Sequence, residues 1–268
     1  MDLFERLLLW MSAVSVVLAE LTPGSLWTDP SLPPPSTMGL LDAVIHHAKV
    51  KQTASVIFLH GLGDSGHGWS DIAPMLANAL PHVKFVFPHA PPQPVTLNGG
   101  YRMPSWYDIY SLEDRDGKVD EVGLLASAGK VNDLIKNEIE THGIASNRIV
   151  VGGFSQGAAM SLLTLVHSQH KLAGVVAMSG YFPMSTQFDS IVSAANRETP
   201  VWMGHGTSDP VVRFSWGEKS RDFLREKGYT VDFNKYVGLQ HSANDEELMD
   251  LAMFLRNTLP ESTTAPAE

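Results

Sequence analysis

The sequence predicts an α/β fold, with a mostly parallel central sheet and helices on both faces. Short β-branched runs alternate with longer segments of helical periodicity, an arrangement typical of parallel sheets. The clearest unit is a uniformly apolar strand at residues 149–151, followed by a glycine-rich turn and a helical segment that is apolar all round. A chain of 268 residues can form one sizeable core, so we expect one folded domain.

We expect the folded domain to occupy residues 40–259, preceded by a hydrophobic segment plus proline-rich linker at 1–39 and followed by a disordered tail at 260–268. The apolar run begins at Leu7 and ends at Ala19, which is too short for a bilayer-spanning helix. Its length suits a signal peptide, but its flank is not basic. A cleaved signal, a membrane-touching helix and a hydrophobic extension all stay open.

Strands and helices can be assigned in order along the domain from the periodicity of apolar residues. The predicted strands are residues 41–47, 55–59, 84–87, 149–151, 172–178, 200–204 and 230–237. The predicted helices are residues 69–79, 122–139, the segment after residue 155, 216–227 and a last helix that contains residues 248–255. We expect Ser70 or Asp71 to cap the first of these helices, and Asn244, with Glu247 three residues on, to cap the last.

The turn after the strand at residues 149–151 contains Gly153, Phe154, Ser155, Gln156 and Gly157. A serine on a sharp turn from strand to helix has a strained backbone, and the flanking glycines allow strand and helix to approach closely. Its hydroxyl then projects at a helix N-terminus, where a developing negative charge is stabilised. This pattern predicts that Ser155 is a nucleophile.

Two further residues at the carboxyl ends of predicted strands could complete a catalytic triad. Asp209 lies in a T-S-D-P turn, and an aspartate before proline is also a common turn initiator. His241 lies between the last strand and the last helix. The order Ser155, Asp209, His241 is the order that α/β hydrolases use. Other carboxylates of the C-terminal half remain alternatives to Asp209, namely Asp189, Asp232 and Asp245.

Two loops before Ser155 could also contribute to a site. The glycine-rich loop that begins at His60 lacks the lysine and spacing of phosphate-binding loops, and in esterases this loop supplies an oxyanion N–H. We therefore expect the backbone N–H groups of Leu62 and Gln156 to form an oxyanion hole. The long aromatic loop at residues 88–108 is either packed on the core or a lid. In the lid alternative, Met103, Trp106 and Tyr107 cover an acyl chain.

The composition restricts the possible partners and cofactors. The chain has 29 acidic and 19 basic residues and a net charge of −10, so we expect no nucleic-acid partner. The absence of cysteine excludes disulfides, thiolate metal sites and a cysteine nucleophile. The acidic residues near 113–118 do not fit a calcium-binding loop, and we expect no metal.

Several extended motifs together resemble the acyl-protein thioesterases, in the phospholipase/carboxylesterase group of α/β hydrolases. They are V-I-F-L-H-G-L-G-D-S-G-H-G-W, M-P-S-W-Y-D, S-N-R-I-V-V-G-G-F-S-Q-G-A-A-M-S-L, K-L-A-G-V-V-A-M-S-G, H-G-T-S-D-P-V-V and G-L-Q-H-S-A. The resemblance extends from about residue 55 to residue 259. Members often carry an acylated N-terminal cysteine, which this chain lacks.

The resemblance implies Ser155 as nucleophile, Asp209 as the acid that orients the imidazole, His241 as general base, and Leu62 and Gln156 as oxyanion donors. It also implies hydrolysis of fatty acyl thioesters on proteins, without a cofactor. Hydrolysis of lysophospholipids or short-chain esters is the alternative, and a non-catalytic lipid-binding module is the alternative from another class. The resemblance favours the cytoplasm, and the N-terminal apolar run leaves peripheral membrane contact or secretion as alternatives.

Overall fold

A computed structural model describes residues 39–112 and 118–261. The N-terminal apolar run, its proline-rich linker and most of the predicted C-terminal tail lie outside the described residues. From Leu40 onward, the described residues form one compact unit.

The centre of this unit is a seven-stranded sheet that is parallel except at one edge. Its strands are β1 (Ala43–His46), β2 (Ala54–Leu59), β3 (Val83–Pro88), β6 (Ile149–Phe154), β7 (Gly174–Met178), β8 (Val201–Gly206) and β9 (Val231–Tyr236). They lie in the order β1-β3-β2-β6-β7-β8-β9, and only β1 runs antiparallel to its neighbour. The parallel strands β2, β6, β7 and β8 lie inside the sheet, and every residue of β2 and β6 is buried. This architecture confirms the predicted α/β fold.

Helices cover both faces of the sheet, as predicted. They are α1 (Gly66–Ser70), α2 (Ala73–Ala79), α3 (Glu121–Glu140), α4 (Gln156–His167), α5 (Phe188–Ile191), α6 (Phe214–Glu226) and α7 (Asp245–Thr258). One hydrophobic cluster packs α3, α4, α5 and α6 against the sheet, and a second packs α1, α2 and α7 against the other face. None of the helices in residues 39–112 and 118–261 is both long and apolar enough to cross a membrane.

The structure corrects two local predictions. The single helix expected at residues 69–79 is two helices, and Ile72, rather than Ser70 or Asp71, is the N-cap of α2. The proline-rich segment expected to be a loop contains a two-stranded ribbon, β4 (Pro92–Val95) paired antiparallel with β5 (Tyr101–Pro104). A strand of an isolated ribbon tolerates proline because one of its edges needs no N–H donors.

A buried ion pair fixes α3 to the sheet at the end opposite the serine turn. Lys84 Nζ donates to Glu138 Oε1 at 2.6 Å, while Ser55 Oγ and Gln52 Nε2 donate to Oε2 at 2.7 and 3.1 Å. The side chains of Lys84 and Glu138 are only 3% and 4% exposed. Buried charges need such partners, so we assign this network to stability.

Candidate active site

Ser155 occupies the turn between β6 and α4 in a strained backbone conformation. Its φ is 55° and its ψ is −114°, a positive φ that residues other than glycine rarely adopt. The two flanking glycines are required by close packing against β2. A Cβ on Gly153 would lie 2.7 Å from the carbonyl oxygen of Leu59, and a Cβ on Gly157 would lie 2.1 Å from it. The predicted strand, sharp turn and helix are therefore present around Ser155.

The structure brings Ser155, His241 and Asp209 into one hydrogen-bonded chain, although they lie far apart in sequence. His241 Nε2 is 2.9 Å from Ser155 Oγ, and His241 Nδ1 is 2.7 Å from Asp209 Oδ2. An ionised carboxylate can only accept, so Nδ1 carries the proton and Nε2 is left to accept from the serine hydroxyl. This is the tautomer that a general base requires.

Asp209 is held rigidly by the loop that follows β8. Its Oδ1 accepts hydrogen bonds from the backbone N–H groups of Val211 and Val212, both at 2.8 Å. The carboxylate is fully buried, and it is oriented by partners on both oxygens. The alternative carboxylates, Asp189, Asp232 and Asp245, are all exposed.

His241 is positioned by the close approach of its loop to the sheet and by an aromatic contact. A Cβ on Gly206 of β8 would lie 2.2 Å from the carbonyl oxygen of Leu239, so this loop rests directly on the strand. The imidazole packs against the Phe154 ring with centroids 4.7 Å apart, and Phe154 packs in turn against Trp69. The His241 ring beside Ser155 is therefore held by packing on one face.

The two predicted oxyanion donors belong to segments that adjoin Ser155. The N–H of Gln156 belongs to the first turn of α4, where helical N–H groups have no intrahelical acceptor. The loop that contains Leu62 reaches the serine, since a Cβ on Gly61 would lie 3.4 Å from Ser155 Cβ. This loop is held by a 2.8 Å hydrogen bond from Gly63 N–H to the carbonyl of Pro104.

His60 supports the loop that contains Leu62, a role that the sequence did not indicate. Its Nε2 accepts from Ala90 N–H at 3.0 Å, so Nδ1 carries the proton and donates to the Gly61 carbonyl at 2.7 Å. Burial lowers the pKa of His60 to about 4, which keeps the ring neutral and this pattern fixed. The signal available in the sequence was the histidine at the end of β2, directly before the first loop glycine.

A second neutral histidine, His205, hydrogen-bonds to the loop that contains Asp209. The sequence did not indicate this role either. His205 Nε2 donates to the Val212 carbonyl at 2.7 Å and lies 3.6 Å from Asp209 Oδ2. Burial lowers the pKa of His205, which disfavours a positive charge beside the triad carboxylate.

The Gln156 side chain bonds to the aromatic segment after β5. Its Oε1 accepts from Trp106 N–H at 2.9 Å, and its Nε2 donates to the Tyr107 carbonyl at 2.7 Å and to Ser105 Oγ at 3.0 Å. The indole N–H of Trp106 donates to the His60 carbonyl at 2.8 Å. The segment therefore hydrogen-bonds both to Gln156 and to the start of the loop that contains Leu62.

The three residues predicted to cover an acyl chain are buried, as the packing alternative expects. Met103, Trp106 and Tyr107 are 7%, 0% and 3% exposed. Their contact with an acyl chain stays a prediction. An open cavity of about 180 Å³ is lined in part by Tyr181. The Tyr181 hydroxyl lies 2.8 Å from the Tyr107 hydroxyl, so the cavity adjoins this segment. Four aromatic residues line the cavity, together with Ser185, Lys219 and Ser220; the aromatic residues are Tyr181, Phe182, Trp216 and Phe223.

The described residues contain no cluster of histidine and acidic side chains suited to hold a metal ion. The chemistry of the site can be derived from its own side chains. A hydroxyl bonded to an imidazole, a carboxylate on the far side of that ring and backbone N–H groups close by are suited to acyl transfer.

Comparison with known proteins supports this interpretation. Residues 41–259 match the family model described as phospholipase/carboxylesterase. The acyl-protein thioesterase 1 of Yarrowia lipolytica is 48% identical over 218 residues, which cover 80% of this chain and 96% of that protein. The acyl-protein thioesterase 1 of Mycosarcoma maydis is 46% identical over 224 residues, covering 79% of this chain and 93% of that protein.

Solved structures show the same fold. The Zea mays acyl-protein thioesterase 2 superposes with a TM-score of 0.74 at 30% identity, covering 81% of this chain and 99% of that one. Arabidopsis thaliana SOBER1 superposes with a TM-score of 0.73 at 32% identity, covering 77% and 99%. These matches confirm the resemblance seen in the motifs. The chain therefore belongs to the acyl-protein thioesterase group of the phospholipase/carboxylesterase family.

Proposed function

We propose that this protein hydrolyses fatty acyl thioesters on proteins through a covalent acyl-enzyme on Ser155. The observation that carries the proposal is the hydrogen-bonded chain from Ser155 through His241 to Asp209, at 2.9 and 2.7 Å. The relatives named acyl-protein thioesterases, at 45–48% identity over most of the chain, support S-acylated proteins as substrates.

In the proposed reaction, His241 Nε2 takes the hydroxyl proton as Ser155 Oγ attacks the acyl carbonyl carbon. Asp209 stabilises the resulting imidazolium. The tetrahedral intermediate collapses, the bond from carbon to sulfur breaks, and the thiol leaves with a proton from His241. Water activated by the same imidazole then attacks the acyl-enzyme, which releases the fatty acid and restores Ser155.

The N–H groups of Leu62 and Gln156 stabilise the oxyanion of both tetrahedral intermediates in this proposal. Rigid donors are effective because they need no reorganisation during the reaction. The support is the network around the donors. His60 fixes the Gly61 carbonyl on one side, and the Gln156 side chain is fixed by Trp106 on the other.

We further propose that the acyl chain extends from Ser155 towards the aromatic cavity that includes Tyr181 and Trp216. Gly180 precedes the cavity residue Tyr181 and packs against the start of α4. A Cβ added to Gly180 would lie 3.3 Å from the Ser155 carbonyl oxygen. Each methylene buried there contributes about 0.8 kcal/mol of binding. In this arrangement Trp106 packs beneath the loop that contains Leu62, where its indole N–H donates to the His60 carbonyl.

Lysophospholipid or short-chain ester hydrolysis is the second candidate, since the same oxyanion chemistry serves both leaving groups. The relevant observation is the small volume of the aromatic cavity, about 180 Å³. A short acyl chain needs less space than a palmitoyl chain, so it requires less of such a cavity. A lipid-binding module without catalysis is disfavoured by the strained serine and its bonded imidazole.

The test is a matrix of acyl length against thioester or oxygen-ester leaving group, for wild type, Trp216→Ala and Trp106→Ala. We expect kcat/KM to rise with acyl length in the wild type and to lose that dependence in Trp216→Ala. Trp106→Ala should lower the rate at every length, because it loosens the oxyanion loop. A wild type that prefers acetyl over palmitoyl esters would replace the depalmitoylation proposal with a short-chain carboxylesterase.

We also propose that the protein acts in the cytoplasm, with residues 7–19 available for peripheral membrane contact. The support is the family resemblance together with the length of the apolar run, which is below that of a spanning helix. Intact-mass analysis of the protein from its native cell tests this. A mature chain that starts near Glu20 would indicate a cleaved signal and contradict the cytoplasmic assignment.

A further inference from the structure

Glu247, behind the triad, is a buried carboxyl group without a hydrogen-bond partner. The residue is 0% exposed, and neither carboxyl oxygen has a partner among the described residues. The sequence rule for this position expects the carboxyl group to bond back to the N-cap backbone. Only the other half of that pattern forms, because Asn244 Oδ1 accepts from Glu247 N–H at 2.9 Å while the Glu247 side chain turns inward.

The carboxyl group packs on the strand that also supports the His241 loop. A Cβ on Gly204 would lie 2.4 Å from Glu247 Oε1, so the carboxyl group fills the space of a side chain on β8. Two residues further along, a Cβ on Gly206 would lie 2.2 Å from the Leu239 carbonyl oxygen. The start of α7 therefore packs on Gly204, and the preceding His241 loop packs on Gly206 of the same strand.

The titratable groups around Glu247 are mostly acidic. Asp209 faces it from the loop after β8, Asp250 from its own helix and Tyr236 from β9. The neutral His205 on β8 lies 3.6 Å from Asp209 Oδ2. Burial, with smaller contributions from Asp209 and Asp250, raises the pKa of Glu247 to about 8. These surroundings favour the protonated acid at neutral pH.

We propose that Glu247 is a positioning residue of the active site, whose buried and unpartnered carboxyl group packs on Gly204 and so holds the start of α7 and the His241 loop in place. Ionisation of this group releases the loop. A buried carboxylate without a partner is costly, and the cost is relieved by moving the group towards water. That movement lifts the start of α7 from Gly204 and draws His241 away from Ser155. The proposal rests on the proposed function, because it concerns the same triad.

The test compares Glu247→Gln with Glu246→Gln, two changes that each remove one carboxylate from the first turn of α7. Glu246 is exposed and serves as the matched control. The measured quantity is kcat/KM on a soluble ester between pH 6 and 10, each protein normalised to its own value at pH 7. Between pH 7.5 and 9.5 we expect the wild type and Glu246→Gln to lose about tenfold or more, and Glu247→Gln to lose less than about twofold.

A second readout needs no activity. A carboxyl group whose folded pKa of about 8 exceeds its ordinary value of 4.5 binds more protons when folded, so stability falls as pH rises through this interval. The melting temperature of Glu247→Gln should therefore fall less between pH 5 and 9 than that of the wild type. Glu247→Met provides the same comparison should the buried amide prevent folding.

A Glu247→Gln protein whose rate and melting temperature both follow the wild-type pH dependence overturns the proposal. An equal change in Glu246→Gln also overturns it, since the effect would then belong to the helix terminus. A wild type that hydrolyses no ester at any pH contradicts the proposed function instead. The melting temperatures would still decide whether Glu247 ionises in the folded protein.

Discussion

Replacing Asp209 with asparagine changes one atom of the hydrogen-bonded chain and leaves the shape of the side chain unchanged. In the wild type, Oδ1 accepts two backbone N–H groups and Oδ2 accepts from His241 Nδ1. The asparagine oxygen must remain on the backbone donors, because an amide NH₂ cannot accept from them. The NH₂ group then faces His241 and requires an unprotonated Nδ1.

This exchange moves the imidazole proton to Nε2, the nitrogen that lies 2.9 Å from Ser155 Oγ in the wild type. A protonated Nε2 cannot act as the base for the serine. The same substitution in a serine protease triad lowers kcat by about 10⁴-fold, which is about 5.4 kcal/mol of transition-state stabilisation. We expect a loss of this size in kcat and little change in substrate affinity.

The assay is steady-state hydrolysis of a soluble p-nitrophenyl ester, with melting temperature as the folding check. Asp189→Asn is the matched control, because Asp189 is exposed and its carboxylate pairs with Lys227 at the surface, at 3.0 Å. We expect the control to retain the wild-type rate within about twofold. An Asp209→Asn enzyme within tenfold of wild type, combined with a disabled Asp189→Asn enzyme, would refute this reasoning.

Three further predictions test other parts of the structure. Gly157→Ala places a Cβ 2.1 Å from the Leu59 carbonyl oxygen, so we expect a lower melting temperature in thermal unfolding and a lower kcat in the ester assay. Gly129→Ala is the control, because Gly129 has open space around it, and this change should be neutral or stabilising. Lys84→Met leaves the Glu138 carboxylate buried without its cation, so we expect the free energy of unfolding, measured in urea, to fall by about 3–5 kcal/mol. The control Lys136→Met removes an exposed ion pair and should cost less than about 1 kcal/mol. Equal losses in the two variants would contradict the role assigned to Lys84. A chain that begins near residue 37 should hydrolyse a soluble ester at the full-length rate, and a folded but inactive truncation would contradict this.

The features predicted correctly from the sequence depend on local patterns. Apolar β-branched runs identified the buried strands, since strands covered on both faces have no polar face to alternate. Ser155, Asp209 and His241 each follow a predicted strand. Because the carboxyl ends of parallel strands meet at one edge of a sheet, chain order and strand ends were sufficient to group them.

The features that were missed depend on contacts between distant segments. The ribbon of β4 and β5 lies in a proline-rich stretch whose strand character comes only from pairing. His60 acquires its role from Ala90, thirty residues away, and the packing of Trp106 beneath the oxyanion loop depends on His60 and Gln156. Glu247 fits the sequence pattern of a capping box, but its side chain packs over Gly204 instead of bonding back to the N-cap.

The central claim is that Ser155 is a nucleophile activated by His241. Its most direct test is labelling with a fluorophosphonate probe, followed by mass spectrometry of the modified peptide. We predict one adduct per wild-type chain, located on Ser155, absent from Ser155→Ala and slowed by several orders of magnitude in His241→Ala. A folded wild-type protein that forms no adduct, or an adduct that persists in Ser155→Ala, would contradict the account.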